Sequence, residues 1–497
     1  MTLRKVVSGV PLVLLTLTMV SSFVAKEDFL ELISAANRWI LVHFGWLYAL
    51  AALSGLILLG LVYFSPIGRI RLGGPEARPI LGKASWFSVA LCTTIAVGIL
   101  FWATAEPLYH FRNPPEGTGI REGSPEASTF AMSTLFLHWT FIPYSIYTLT
   151  ALVFALSFYQ LKQPFRIGSL LVPLVGAERA HQISPWVDSL SLFSLVAGMA
   201  ASMGAGLLTL SGGIQLLFPD SSAAGNTGWM ALALTLTFVG SAILGLRRGI
   251  RILSHLNIAG FALVVAWFLV FGPMGKVWQS LGGSLADFVL HLVPRSQAIG
   301  MERSWAEDWT LFYWANWLAW TPISALFLGK LGVGYDVRTF IRFNLVYPAL
   351  FSLAWMFLFG GISLHTDTAQ AGSLFQLLEA KGPESIVFAL IGQLPLPALV
   401  GGAYFVLVFL SFVTAADSNT SAMSSLSMSE SVAQTEEAAP WVKLAWGCLI
   451  GLTAWVMVRQ SGIDGVRMAS NLGGFPALFL FVGVIAGMIR MLFRGKH

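Results

Sequence analysis

Charge is scarce in this sequence: Asp, Glu, Lys and Arg make up 11% of its 497 residues, while apolar residues reach 56%. A soluble globular chain carries about 25% charged residues, so water is excluded as the main solvent. Cysteine is nearly absent. Cys92 and Cys448 both lie in apolar runs, and neither a disulfide framework nor a redox compartment is read from them. A phosphate-cradling loop is missing too. The nearest match, Leu81-Gly82-Lys83-Ala84, lacks the upstream glycine and the following Ser or Thr, which excludes ATP hydrolysis. The eight histidines are all far apart in sequence, so no helical pair of metal ligands exists for a membrane metalloprotease. Neither enzyme activity nor a metal or other cofactor is expected.

What the chain has instead is apolar runs of roughly 20 residues, the length that crosses a hydrocarbon core of about 30 Å. They predict an all-α integral membrane protein with about twelve transmembrane helices, near 6–24, 43–65, 86–106, 130–157, 188–217, 229–246, 252–271, 309–330, 340–363, 397–422, 441–458 and 471–492. The first run also has the look of a signal peptide, but its cleavage pattern is poor and further spans follow at once. Residues 276–293 are too polar to span. Val277, Leu281, Leu285, Phe288, Val289 and Leu292 recur there at helical spacing, which predicts an amphipathic interfacial segment.

The net charge of +5 does not point to nucleic acid, because the basic residues sit in short loops between spans. With Arg4 and Lys5 placed in the cytoplasm, alternate loops carry Arg69, Arg71, Arg78, Lys83, then Lys162, Arg166, Arg179, then Arg247, Arg248, Arg251, then Lys330, Arg338, Arg342. Most of the 29 Lys and Arg fall on that side, so both termini are expected in the cytoplasm of a multi-pass protein of the cell inner (plasma) membrane.

Two spans are rich in aromatic residues. In the fourth, Trp139, Tyr144 and Tyr147 fall within an arc of roughly 140° at about 100° per residue. In the eighth, Trp314, Trp317 and Trp320 recur every third residue, which reads as a stripe along one side. An interfacial belt accounts for Trp305 and Trp309 but not for the deeper ones, since Trp139 and Trp317 lie roughly 13 and 12 Å into the membrane at about 1.5 Å per residue. Aromatic faces at one depth can cage a quaternary ammonium by cation–π attraction; plain core packing is the other reading. The tenth span ends in Thr414-Ala415-Ala416-Asp417-Ser418-Asn419, where an ion or substrate path and interhelical hydrogen bonding both fit. Small residues from Gly198 to Gly206 read as a packing face. His138 is either a proton carrier or a hydrogen-bonded structural histidine, and Glu106-Pro107 reads as a cap on the outer end of the third span.

Phe101-Trp102-Ala103-Thr104-Ala105-Glu106-Pro107, the stretch from His138 to Tyr147, the stretch 309–320 and Thr414-Ala415-Ala416-Asp417-Ser418 together resemble the betaine/carnitine/choline transporter (BCCT) family, as do Leu72-Gly73-Gly74 and residues 332–341. The resemblance implies two leading helices followed by two inverted five-helix repeats of a LeuT-like core, and alternating access between them. It divides the chain into the leading helices and loop at 1–85, a first repeat at 86–275, an amphipathic segment at 276–307 and a second repeat with a short tail at 308–497. It also implies a homotrimer in the lipid bilayer with contacts near 276–293. The solute would be a small zwitterion or cation of the glycine betaine, choline or carnitine type, moved by secondary active transport. By position, the substrate residues would be Trp139, Tyr144, Tyr147 and Trp317, with Trp314 and Trp320 along the route and Gly98 left from a glycine-rich break in the third span.

Departures from the family pattern are specific. Tyr144 and Asn316 stand where tryptophan is usual, Thr94-Ile95-Ala96-Val97-Gly98 keeps one glycine, and the positions of a sodium site hold Leu195, Met199, Thr414 and Ala415. Leucine and methionine are unsuited to a hard cation, so sodium coupling is expected to be lost, leaving proton coupling, exchange or uniport, with His138 and Asp417 as candidate proton or pathway residues. Another small zwitterion or amino-acid-like solute is the second reading. A non-transporting sensor or a channel is the third, against which stands the lack of a signalling domain or filter-like span.

Overall fold

A computed structural model describes residues 4–95, 97–218, 223–244, 247–428 and 438–494. The acidic loop residues Glu430, Glu436 and Glu437 and the tail residue Lys496 lie outside that set, as do the side chains of Arg247, Arg248 and Arg251. The long helices are α1 (Lys5–Val24), α2 (Lys26–Phe64), α3 (Lys83–Ile95), α4 (Gly98–Arg112), α5 (Pro125–Trp139), α6 (Phe141–Ala155), α7 (Ala177–Leu217), α8 (Ala223–Leu244), α9 (Arg247–Phe271), α10 (Met274–Ser296), α11 (Phe312–Leu331), α12 (Tyr347–Ala369), α13 (Pro397–Leu426) and α14 (Pro440–Arg494). Among the described residues the one β feature is an isolated bridge between Arg71 and Asp336. This is what lipid demands, because a helix satisfies its backbone groups internally.

Nine of the described helices are long and apolar enough to cross a membrane, or ten if the bent pair α3 and α4 is one span. The difference from twelve has identifiable causes. The expected span 309–330 is α11, whose Trp and Tyr residues count little toward hydropathy. The expected spans 441–458 and 471–492 are two arms of α14, which bends at Gly462 (φ 53°, ψ −129°). The second span also begins earlier than its apolar run, because α2 extends from Lys26 as one helix of 39 residues.

Close packing at the centre rests on small residues. A Cβ on Gly198 of α7 would meet Trp320 at 3.0 Å and Ala319 at 3.1 Å, both on α11. One on Gly473 of α14 would meet Ala197 at 2.7 Å, and one on Gly474 would collide with the Ala315 backbone oxygen. Helices α7, α11 and α14 therefore touch through nearly bare backbone, the contact that substitutes for hydrophobic driving force between helices in lipid. The small face of α7 does what its sequence predicts; Gly473 and Gly474 were not anticipated.

Three of the loops expected to share one side are in contact with one another. Leu72 donates its backbone N–H to Tyr335 (3.0 Å) and accepts from Gly334 (2.9 Å), Gln160 reaches the Arg71 carbonyl (2.7 Å) and Tyr159 the Lys330 carbonyl (3.0 Å). Arg4 joins the buried Asp188 of α7 at 2.7 Å, and Asp188 also accepts the N–H groups of Ile167 and Gly168.

Candidate functional site

The fourth span is not one helix. Proline at position 143 lacks an N–H and its ring crowds the carbonyl four residues back, so the chain breaks at Thr140 (φ −119°, ψ −116°) between α5 and α6. The break leaves the His138 carbonyl free, and Trp317 Nε1 of α11 donates to it at 3.2 Å. One broken turn thus fixes a tryptophan from another helix. A second break separates α3 from α4, which meet at 58°. Gly98 opens α4 there, and a Cβ on it would lie 2.7 Å from Trp139 Cη2, so the indole seats on bare backbone.

Trp317 is the centre of an aromatic group. Its ring centroid is 5.7 Å from Trp139, 5.6 Å from Tyr144 and 5.3 Å from Tyr147, the first and last edge to face. All four side chains are buried. Edge-to-face contact sets the electropositive rim of one ring on the electronegative face of another, the face a cation also seeks. At the Tyr144 end the hydroxyl is buried and makes no hydrogen bond, although it faces Thr94 and Ser352; the hydroxyls of Ser352 and Thr148 are also unpaired. An aromatic group with a polar corner results.

The Trp139 end is different. Trp139 Nε1 donates to Glu106 Oε2 at 2.8 Å. The same carboxylate accepts from the Tyr313 hydroxyl, from His138 Nδ1 at 2.6 Å and from His110 Nε2 at 3.2 Å. His138 Nε2 pairs with Thr310 Oγ1 at 3.0 Å. Glu106, His110 and His138 are each 0% exposed, so this is a carboxyl group wholly inside the protein, held by donors from α4, α5 and α11. The reading of Glu106 as a cap on the outer end of a span is corrected here. Helix α4 runs from Gly98 to Arg112, which places Glu106 in its middle. It is the single acidic residue of the expected span 86–106, and that signal could have identified it, because an intramembrane carboxylate is a functional candidate by default.

The ligand atoms of Glu106, His110 and His138 lie within 4.8 Å of one another, the spacing of a metal site. The geometry does not fit one. Two ligands of a tetrahedral ion bound at about 2.0 Å stand roughly 3.3 Å apart, whereas His138 Nδ1 is 2.6 Å from Glu106 Oε1, and indole and phenol donors occupy the rest of the carboxylate. The group is a hydrogen-bonded cluster.

The other anticipated residues scatter. Trp314, Trp317 and Trp320 share an arc of about 120° on α11 but do not line one site, because each side chain reaches a different neighbour. Trp314 Nε1 donates to the Ser296 carbonyl at the end of α10 (3.2 Å), and Trp320 packs on Gly198. Asn316 accepts from Ser470 of α14 at 3.0 Å, so its amide faces that helix. Leu195 and Met199 are buried in the core, as is Ala415. Thr414 Oγ1 accepts from Asn257 Nδ2 at 3.1 Å while donating to the Leu410 carbonyl at 2.7 Å, an amide contact that the sequence did not suggest. The Asp417 carboxylate is held by Ser241 of α8.

Comparison with known proteins is consistent over nearly the whole length. The chain is 28% identical over 480 residues to the "Glycine betaine transporter OpuD" of Bacillus subtilis, covering 95% of this chain and 92% of that one. It is 28% identical over 459 residues to the "High-affinity choline transport protein" of Escherichia coli, covering 91% and 67%. To the "Ectoine/hydroxyectoine transporter" of Virgibacillus pantothenticus it is 27% identical over 457 residues, covering 92% and 90%. The family model described as "BCCT, betaine/carnitine/choline family transporter" matches residues 6–497. A helical membrane chain with an aromatic group between two broken spans and a match of that extent is a transporter, not an enzyme, and it belongs to the betaine/carnitine/choline transporter family.

Proposed function

We propose that this protein is a secondary active transporter of a small quaternary ammonium solute, with Trp139, Tyr144, Tyr147 and Trp317 around the cationic head. The observation that carries the reading is the contact of Trp317 with three other buried rings at 5.3 to 5.7 Å. A quaternary ammonium donates no hydrogen bond, so ring faces are its natural partners, worth about 2 kcal/mol or more when desolvated. The unpaired hydroxyls of Tyr144 and Ser352 beside this group suit a carboxylate, which favours a zwitterion such as glycine betaine over choline. The relatives named for betaine, choline and ectoine transport support the class.

In this reading the chain has twelve spans, as two leading helices and two inverted five-helix repeats at 86–275 and 308–497, working by alternating access in the plasma membrane with both termini cytoplasmic. Subunits of a trimer meet through α10, which exposes Trp278, Val289, Leu290 and Val293 while burying Val277 and Phe288. Sodium is not required, because Leu195 and Met199 offer no oxygen ligand and the Thr414 hydroxyl is engaged by Asn257 and Leu410. The test is counterflow of labelled glycine betaine into proteoliposomes without sodium. Saturable, trans-stimulated flux is expected; a steep sodium requirement overturns the coupling assignment, and the absence of flux with any quaternary ammonium compound overturns the substrate class. A different zwitterion is the second reading, favoured by Tyr144 in place of the usual tryptophan, and ectoine is its direct test.

A further inference from the structure

The Glu106 cluster and the aromatic group share a side chain. Trp139 gives its indole N–H to Glu106 and its ring to Trp317, while Trp317 donates to the carbonyl of His138, whose imidazole holds Glu106. With the carboxylate ionised and both imidazoles neutral, the hydrogen-bond network assigns every proton. His138 donates from Nδ1 to Glu106 and accepts from Thr310 at Nε2. His110 donates from Nε2 to Glu106, which leaves its Nδ1 a bare lone pair. That atom is buried and has no partner. The cluster thus holds one negative charge and one empty proton position.

We propose that Glu106, His110 and His138 form a proton site whose occupancy competes with the cation in the aromatic group, so that loading of solute releases a proton to the solvent. This rests on the quaternary ammonium reading of the aromatic group and deepens it by naming the coupling ion and the sign of the coupling. A cation against Trp139 lies roughly 7 Å from the carboxylate, where attraction at an effective dielectric of about 20 alters affinity on the order of tenfold or more. Adding a proton cancels the charge that supplies this attraction. By linkage the proton weakens the cation as much as the cation weakens the proton. Like charges drawn to one carboxylate oppose each other, so solute and proton move in opposite directions.

Other charges bear on the cluster without replacing it. Arg467 of α14 lies over Trp309, 4.7 Å from its centroid, and Trp309 packs on His110; Arg467 also acts on Tyr313. Asp464 and Asp308 stand near Arg467, Glu384 and Glu379 act on Tyr109, and on α12 Asp367 is paired with Arg112 at 2.6 Å.

The experiment uses purified wild-type protein and choline, a cation with no group titrating near neutrality. Tryptophan fluorescence gives the Kd at about pH 6 and about pH 8.5, and an indicator dye in weak buffer counts protons, over the range where imidazole changes charge. The expected result is a Kd about tenfold higher at the lower pH, with proton release on binding. E106Q is expected to bind more weakly and with no pH dependence. H110Q keeps an N–H for Glu106, removes the empty nitrogen and shifts the pH profile without abolishing binding. Should E106Q not fold, the wild-type proton count decides. A Kd independent of pH with no proton released, or tighter binding at low pH, overturns this proposal and leaves the substrate class standing. Failure of choline, glycine betaine and tetramethylammonium to bind at either pH overturns both.

Discussion

The two ends of the aromatic group treat polarity in opposite ways. At the Trp139 end a carboxylate is saturated by four donors from three helices. At the Tyr144 end, hydroxyls of Tyr144, Thr148 and Ser352 stand buried and unpaired. A saturated buried network is rigid and costly to disturb, whereas unpaired buried hydroxyls cost free energy until a ligand completes them. In the proposed reading, the first end positions Trp139 and the second offers its hydroxyls to the solute.

Mutations can break this comparison. The largest effect is expected for E106A, which strands His138, Trp139 and Tyr313 together. Breaking a buried charged network from one side costs about 3–5 kcal/mol, so thermal unfolding in detergent should drop sharply or the folded protein should not be recovered. Wild-type-like melting would make the cluster dispensable to the fold. Next comes W317L, which removes the ring common to three contacts. A loss of about 2 kcal/mol, roughly 30-fold in Kd for glycine betaine, is expected by fluorescence or uptake. Retained affinity would move the solute elsewhere.

G98A adds a methyl 2.7 Å from Trp139 and should cost about 1–3 kcal/mol of stability by overpacking, with Trp139 emission altered. Unchanged spectra and melting would show that the indole is free to shift. Y144F is expected to be milder and selective. It should weaken glycine betaine by about 0.5–1.5 kcal/mol through a lost hydrogen bond and leave tetramethylammonium, which has no acceptor, unaffected. Equal losses for both would assign Tyr144 to the cation instead. The smallest effect is expected for T414A: with no sodium to hold, uptake kinetics in sodium and potassium buffers should stay alike, and a new difference between the two would restore an ion to that position.

Much of this site was legible in the sequence, and the reasons differ by residue. Trp139, Tyr144, Tyr147 and Trp317 were named together by the family resemblance, and helical periodicity supported it by setting Trp139, Tyr144 and Tyr147 on one arc. Trp314 and Trp320 were grouped with Trp317 by spacing, but a shared arc does not fix a shared partner, and each found its own neighbour in α10 or α7. His138 was seen as a candidate without its partner. Glu106 was misplaced by a hydropathy window that ended the span at residue 106, whereas α4 continues to Arg112.

Sequence alone determined the solvent of this protein and its helical class, since chain length and apolar periodicity are local properties that lipid reads directly. Only the tertiary structure decided what each polar residue is for. Glu106 meets Tyr313 across 207 positions and Trp317 meets His138 across 179. A buried donor in a membrane must find a partner somewhere, and which one it finds depends on how the broken helices cross, which local pattern does not encode.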